Sequence, residues 1–192
     1  MAMDVHEKIL EATLEIIARE KISGTRMHLI AKEANMSQSN LHYYYPTKND
    51  LLIALMDDLQ NRFSEKRMES VDLIKKSVDE NLHGLFEEKK DDIINHKKVD
   101  YAQFDYWVQG TVNREIRTKF QNTFDKWREN IKDVLMKNKS TGETNSNYTE
   151  MLPVIVVSLM MGASMQYLID EEKFDLDEYF SVAEEIILKF LT

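Results

Sequence analysis

The chain has 192 residues, which gives room for one or two domains with a hydrophobic core, and it carries five glycines, two prolines and no cysteine. So few helix breakers predict an all-α protein, and the lack of cysteine excludes disulfides, thiolate metal sites and a cysteine nucleophile. The formal net charge of −9 argues against a broadly basic nucleic-acid-binding surface, yet residues 1–50 hold six lysines and arginines against seven acids and are close to neutral.

The N-terminal segment predicts two helices. Apolar residues recur every three or four positions and predict a first helix over about residues 4–20, ended by Ser23-Gly24. Thr25 is the expected N-cap of a second helix, which turns Ile30 inward. Acidic residues interrupt any apolar signal-peptide segment at the start of the chain, so we expect a cytoplasmic protein.

A short turn and a third helix follow. Asn35 tolerates the left-handed backbone that such a turn often needs, and Ser37 can cap a helix from Gln38 to about Tyr44. Pro46 ends this helix. Residues 47–50 have the pattern of a capping box and begin a fourth helix of about residues 48–67.

The remainder is predicted to be helical to about residue 138, with weak breaks near 68–71, 91–99 and 111–113. Residues 138–147 are predicted to form a loop, and the last two helices are expected at about 149–169 and 175–190. One apolar stripe with helical spacing is expected to lie in the core: Ile116, Phe120, Phe124, Trp127, Ile131 and Val134.

Two short helices joined by a three-residue turn, with a first helix across them, form the pattern of a helix-turn-helix module. If Leu41 points inward, a step of about 100° per residue turns Ser39 and Tyr43 outward, with Asn40 and His42 beside them. This outward face is polar, flat and without acids. A helix that lies in the major groove of DNA requires such a face.

At this point the sequence resembles the DNA-binding segment of TetR-type transcriptional regulators. The resemblance is carried by Thr25, Ile30-Ala31, Ala34, Ser37, Leu41, the aromatic run to Tyr45, and Lys48 before Leu51-Leu52. It implies that the third helix is the recognition helix and that a homodimer places two of them on a palindromic operator.

The resemblance also implies individual contacts with double-stranded DNA. The residues expected at bases or the adjacent backbone are Gln38, Ser39, Asn40 and Tyr43. The residues expected at phosphates are Thr25, Arg26, Tyr44, Lys48 and His42. The sequence departs from the family by having Asn35 in place of the common glycine and His42 in place of the common tyrosine, and an imidazole would make that contact pH-sensitive.

The C-terminal part resembles the regulatory domain of choline-responsive TetR repressors in segments 107–127 and 160–170. The family likeness implies a DNA-binding domain of residues 1–47, and a ligand-binding and dimerisation domain of residues 48–192 whose last two helices form the dimer. The predicted dimer interface contains Ser158, Gly162, Ala163 and Gln166, of which the first three are small enough for close helix approach. A membrane span is the alternative for residues 151–169, because this stretch is uncharged and long enough to cross a bilayer. Pro153 and the polar residues of the stretch argue against it.

Aromatic and methionine side chains make up the predicted effector site. They are Tyr101, Phe104, Tyr106, Trp107, Phe124, Trp127, Met161 and Met165. Most of them also suit a hydrophobic core, and Tyr106 is the best single candidate because it lies off the main apolar stripe. With Asp105 or Glu115 nearby, such a site would suit a bulky apolar or cationic molecule.

The sequence therefore predicts a ligand-responsive transcriptional regulator, by family habit a repressor. We expect no enzyme, no cofactor and no metal site, because the sequence lacks a glycine-rich phosphate loop, a Gly-x-Ser-x-Gly elbow and a His-Glu-x-x-His pair. A helical protein-interaction module without sequence-specific DNA binding is the alternative that the residues leave open.

Overall fold

The computed structural model describes residues 4–137 and 146–191, and these residues form helices joined by turns and short loops. The helices are α1 (Val5–Gly24), α2 (Met27–Glu33), α3 (Gln38–Tyr44), α4 (Lys48–Ser70), α5 (Val78–Asn95), α6 (Lys97–Gly110), α7 (Arg114–Met136), α8 (Ser146–Ile169) and α9 (Leu176–Lys189). The predicted all-α fold is confirmed. The predicted loop lies mostly outside the described residues, and α8 begins earlier than expected, at Ser146.

The breaks between α4 and α7 follow the predicted pattern. The chain leaves the helix at residues 71–77, at His96 and at residues 111–113. The first break lies a few residues later than predicted, because α4 continues to Ser70 and Ser77 then caps α5 by accepting the N–H of Glu80 at 3.2 Å.

The chain divides by packing into two compact units. The first contains the chain up to Phe63 together with Lys98–Phe120, and the second contains Ser64–Lys97 together with the chain from Gln121 onward. Helices α4 and α7 each contribute residues to both units. The domain boundary predicted after residue 47 remains a prediction, and packing groups the first turns of α4 with the N-terminal helices because Leu51 and Leu55 are buried there.

In the first unit, the turn between α2 and α3 has the predicted local chemistry. Asn35 adopts a φ of 48°, and Ser37 Oγ accepts the N–H of Asn40 at 3.1 Å. At the start of α4, the Asp50 carboxylate accepts the Thr47 N–H at 2.9 Å, and Thr47 Oγ1 accepts the Asp50 N–H at 3.1 Å. These bonds confirm the predicted cap of α3 and the predicted capping box.

The predicted N-cap at Thr25 is wrong. Helix α1 kinks at Lys21, where φ is 61°, and ends at Gly24, and the Thr25 hydroxyl donates to the Lys21 carbonyl at 2.8 Å. Thr25 therefore closes the C-terminus of α1, and the N-cap of α2 is Arg26, which makes no side-chain capping bond. A threonine hydroxyl can bond to a carbonyl four residues earlier or to a following amide, and the residue type alone does not distinguish these two roles.

The core of the second unit is built from α5, α7, α8 and α9. Its buried members include Leu82, Phe86, Trp127, Ile131, Val134, Leu152, Val156, Met160, Ala163 and Phe180. The rings of Phe86 and Phe180 stack with centroids 5.1 Å apart. The predicted stripe along α7 is buried as expected, except that Phe124 is only half-buried.

Helix α8 has one buried face and one exposed face. Among the described helices, only its segment Glu150–Ile169 has the length and hydropathy that a membrane crossing would need. Leu152, Val156 and Met160 are buried in the core of the second unit, whereas Met151 and Ile155 on the opposite face are about half exposed. The buried face is that of a core helix in a folded domain.

Candidate DNA-reading helix and ligand cavity

Helix α3 presents the face that its sequence predicts. Leu41 is fully buried and anchors the helix, whereas Tyr43 is 81% exposed. Ser39, Asn40 and His42 are also exposed, as is Gln38 at the start of the helix. No acidic residue occurs between Gln38 and Tyr44, so the exposed face offers hydrogen-bonding groups and a flat ring without repelling phosphates.

His42 is held by two neighbours on its own chain. Its Nδ1 lies 3.0 Å from the carbonyl oxygen of Pro46, and its Nε2 lies 3.3 Å from the amide nitrogen of Gln38. Because a carbonyl oxygen only accepts, Nδ1 carries the proton and Nε2 accepts from Gln38 in the neutral ring. The predicted phosphate contact of His42 remains a prediction, and these bonds give the ring a second, structural role.

The aromatic run at the end of α3 packs against α1. Tyr45 is buried, as predicted, and its hydroxyl lies 3.1 Å from His6 Nδ1. Burial raises the pKa of Tyr45. The half-buried Tyr44 meets the His6 ring edge to face at 5.2 Å. His6 is not among the residues predicted to matter, because its partner Tyr45 lies 39 residues away and helical periodicity does not indicate such a contact.

The predicted phosphate ligands differ in their surroundings. Arg26 is exposed and donates to the carbonyl of Ser23 at 2.8 Å. Lys48 is half-buried and donates its ammonium to the Ile22 carbonyl, and burial lowers its pKa, with the nearby Arg26 adding to the effect. Thr25 is fully buried and its hydroxyl donates to the Lys21 carbonyl, so its side chain cannot reach a phosphate, and we remove it from the predicted DNA contacts.

Ile22 joins three helices of the first unit. Its N–H donates to the carboxylate of Asp105 on α6, and its carbonyl accepts from Lys48 at the start of α4. Lys21, with its positive φ, places the backbone of Ile22 between these two side chains. Asp105 was expected to add charge to an effector site, but this bond shows that it holds the end of α1 instead.

The predicted effector residues are divided between the two units. Tyr101, Phe104, Tyr106 and Trp107 belong to the first unit, and Phe124, Trp127, Met161 and Met165 belong to the second. Tyr106 is 1% exposed, and its hydroxyl donates to the Leu52 carbonyl at 2.7 Å. Burial, with Asp105 and Asp57 nearby, raises its pKa strongly. Tyr106 is therefore a core residue that links α6 to α4, and its choice as the best effector contact is corrected.

Replacing Tyr106 by phenylalanine is expected to lower the free energy of unfolding by about 1 kcal/mol, because a buried hydrogen bond to Leu52 is lost while the ring remains. Urea denaturation measures the change. Tyr43→Phe, on an exposed ring, is the matched control and should stay within about 0.5 kcal/mol of the wild type. A Tyr106→Phe protein as stable as the wild type would contradict a stabilising role for this bond.

The second unit contains a cavity of about 550 Å³ at the end of α4. Its apolar lining comes from Met68, Val71, Leu73, Ile74, Leu85, Trp127 and Ile131. Its polar lining comes from Arg67, Glu69, Asp72, Lys76, Asn130 and Asp133. Of the eight predicted effector residues Trp127 lines this cavity, and Met165 lines a separate depression of about 340 Å³ beside Gln166 and Ile169.

A charged cluster lies beside this cavity. The Arg67 guanidinium lies 4.8 Å from the centroid of the Trp127 ring, and Lys66 donates to Asp92 at 2.8 Å. Burial and the neighbouring Asp92 raise the pKa of Glu88 to about 7, although Arg67 opposes the shift. Arg67 is not among the predicted site residues, because charged residues are common on α4 and their spacing does not indicate which one becomes buried.

Stability is expected to depend on pH through Glu88. In the unfolded chain the Glu88 carboxyl group loses its proton at about pH 4.3, whereas in the folded protein it keeps the proton up to about pH 7. The folded state therefore binds more protons in this window, and its stability falls as pH rises from about 4.5 to about 7. Glu88→Gln should remove this loss and exceed wild-type stability at pH 8 by on the order of 2 kcal/mol.

Urea titrations at pH 5 and pH 8 test this expectation, with Glu87→Gln on the more exposed neighbour as the control. Equal pH dependence in wild type and Glu88→Gln would show that Glu88 does not titrate abnormally. A pH dependence lost equally in the control variant would assign the effect to general surface charge.

Comparisons with known proteins agree with this geometry. Residues 9–55 match the sequence profile of bacterial regulatory proteins of the tetR family. A stretch of 51 residues is 39% identical to an uncharacterized HTH-type transcriptional regulator from Xanthobacter autotrophicus, covering 27% of this chain and 25% of that protein. The chain thus spans only a quarter to a third of the length of the curated relatives that it matches.

Solved structures match over nearly the whole chain. A TetR-like transcriptional regulator from a Rhodococcus species has a TM-score of 0.79 at 19% identity, covering 100% of this chain and 98% of the other. A protein from Saccharomonospora viridis, assigned as a transcriptional regulator and solved in complex with choline, has a TM-score of 0.79 at 23% identity, covering 95% and 94%. Identities this low establish the fold and leave the choline-responsive subgroup a prediction.

The fold and the α3 face define a helical protein with an N-terminal helix-turn-helix domain. Residues 9–55 match the tetR-family profile, and the fold of the described residues is that of a solved TetR-like regulator.

Proposed function

We propose that this protein binds a palindromic DNA operator as a homodimer and leaves it when a small molecule binds the second unit. The observation that carries the proposal is the exposed face of α3, which is free of acids and is anchored by the fully buried Leu41. A protein that represses transcription in the cytoplasm would use such a face to read base edges.

The residues proposed to meet bases or the adjacent backbone are Gln38, Ser39, Asn40 and Tyr43, all of which are exposed. Arg26, Tyr44, Lys48 and His42 are proposed at phosphates. To bind a phosphate, the Lys48 ammonium would have to give up or share its hydrogen bond to the Ile22 carbonyl. Its contribution to DNA affinity is therefore expected to be smaller than that of Arg26. The two α3 helices of a dimer must lie about 34 Å apart, one turn of DNA, to reach both half-sites.

A homodimer is proposed through α8 and α9. The exposed side of α8 forms a stripe with helical spacing: Met151, Ile155, Ser158, Gly162, Met165 and Ile169. Val182 and Ile186 extend this apolar surface on α9, each 50% exposed. Ser158, Gly162 and Gln166 of the predicted interface are at least partly exposed, which supports the proposal, whereas Ala163 is fully buried in its own core and is removed from it. Apolar stripes of this kind are typical of contacts between subunits.

The proposed release of DNA depends on α4, one helix with a role at each end. At its start, Lys48 holds the carbonyl of Ile22, and in its last turns Arg67 and Met68 line the cavity. A ligand that favours one position of α4 would shift the recognition helices away from the spacing of the operator. It can do so only through unequal affinity for the two states of the dimer.

Binding-site selection from random duplex DNA tests the proposal. We expect enrichment of one palindromic sequence whose half-sites are about one helical turn apart. Binding that falls steeply with salt and enriches no sequence would leave nonspecific phosphate attraction only. Absence of any DNA binding would favour the alternative, a helical protein-interaction module.

A further inference from the structure

The cavity of the second unit contains two buried hydrogen-bond donors without a partner. Trp127 is 5% exposed and Arg67 is 9% exposed, and both residues line the cavity. Among residues 4–137 and 146–191, neither the indole N–H of Trp127 nor Nε of Arg67 has a hydrogen-bond partner. Buried donors are nearly always paired, because an unpaired one loses its hydration without compensation. The cavity therefore lacks an acceptor at this point.

The buried positive charge of Arg67 favours an anionic acceptor over a neutral one. Glu69, Asp72 and Asp133 also line the cavity, but the carboxyl groups whose charge acts on Arg67 are Glu88 and Asp92. Asp92 is bonded to Lys66, and the pKa of Glu88 is about 7, so near neutral pH about half of its charge is missing. The buried guanidinium is thus incompletely compensated, and an isolated buried charge is costly.

One wall of the cavity is suited to an apolar molecule that enters from solvent. Leu85, Ile131 and Trp127 form a buried apolar surface, and Val71 packs against it. At the rim, Met68 is 69% and Ile74 is 91% exposed, so the cavity opens to water. Its volume of about 550 Å³ lies within the range of small-molecule sites.

We propose that this cavity binds an apolar monocarboxylate, with its carboxylate at Arg67 Nε and the Trp127 N–H and its apolar body against Leu85 and Ile131. This inference rests on the proposed function and names the class of its effector. It differs from the expectation of a cationic effector, because a cation placed here would meet the Arg67 guanidinium. Trp127 alone is shared with the effector residues predicted from sequence.

The test compares two probes with the same apolar body and opposite charge, decanoate and decyltrimethylammonium, by titration calorimetry below their micelle concentrations. We expect decanoate to bind once per protomer and to bind at least about tenfold more tightly than the cation. Equal binding of the two probes, or tighter binding of the cation, would overturn the proposal.

Variants locate the site. Arg67→Met should weaken decanoate binding at least about tenfold, because it removes the charge and Nε while keeping the apolar stem. Lys126→Met, on an exposed cation next to Trp127 in sequence, is the matched control and should change binding less than about twofold. Unchanged affinity in a folded Arg67→Met protein would overturn the proposal.

If Arg67→Met fails to fold, Trp127→Phe keeps most of the ring and removes one donor. It should weaken decanoate binding about fivefold, while circular dichroism shows a native helical signal. Full affinity in this variant would overturn the assigned position of the carboxylate.

DNA binding separates this inference from the proposed function. Without ligand, the control Lys126→Met should bind the selected operator as the wild type does. Decanoate binding that depends on Arg67 in a protein that selects no operator would support the cavity and refute the regulator. An operator-binding protein that ignores decanoate would support the regulator and refute the inferred ligand class.

Discussion

Replacing Asn40 and Tyr43 together by alanine is expected to weaken binding to the selected operator by about 100-fold or more. Both side chains are exposed on α3, and each base contact is typically worth about 1–3 kcal/mol of discrimination. Neither residue is charged, so nonspecific binding and its salt dependence should remain. Fluorescence anisotropy with operator and scrambled duplexes measures both quantities over a range of salt concentrations.

Two controls make this result specific. Gln121→Ala with Asn122→Ala changes a similarly exposed pair on α7 and should leave operator affinity within about twofold of the wild type. Tyr43→Phe retains the ring, so it separates loss of the hydroxyl from loss of apolar contact with the groove. Undiminished operator affinity in the Asn40→Ala/Tyr43→Ala protein would refute α3 as the reading helix.

Replacing Gly162 by leucine is expected to weaken the dimer by about 100-fold, the loss that follows from forcing apart two closely packed helices. Within one protomer, a Cβ at this position would meet no atom within 4 Å. The side chain is therefore accommodated by the isolated chain and excluded only by a partner that packs on α8. Sedimentation equilibrium over a range of protein concentrations measures the dissociation constant.

Stability of the protomer is the internal control for this substitution. A helical glycine replaced by leucine should raise monomer stability by about 0.5–1 kcal/mol, since glycine is a poor helix former. Gly162→Ala should show the same gain with a smaller effect on the dimer. A leucine variant that dimerises as tightly as the wild type would exclude close packing of a second copy at Gly162.

The α3 module was predictable because its determinants are local. The Ser37 cap, the left-handed Asn35 and the Thr47–Asp50 capping box each involve atoms a few residues apart, so the residue types alone predict them. The inward position of Leu41 and the outward position of Tyr43 follow from helical periodicity. The resemblance to TetR-type regulators rests on this same segment.

Other features depend on contacts between residues far apart in the chain. The hydroxyl of Tyr106 reaches Leu52, and the carboxylate of Asp105 reaches Ile22, and the effector site predicted at these residues took no account of either bond. The misplaced N-cap at Thr25 has a local cause, because its hydroxyl bonds to a carbonyl four residues earlier and not to a following amide. The hydrogen-bond partner of such a side chain can be identified only when the fold has brought one acceptor or donor within bonding distance.

Residue types and their spacing alone predicted the helical class, the exposed face of α3 that is free of acids, and most of the small residues on the exposed side of α8. Only the tertiary structure showed that Arg67 and Trp127, 60 residues apart, share one cavity with unpaired donors. Burial and the pairing of donors arise from packing between α4, α5 and α7, and no local pattern encodes them.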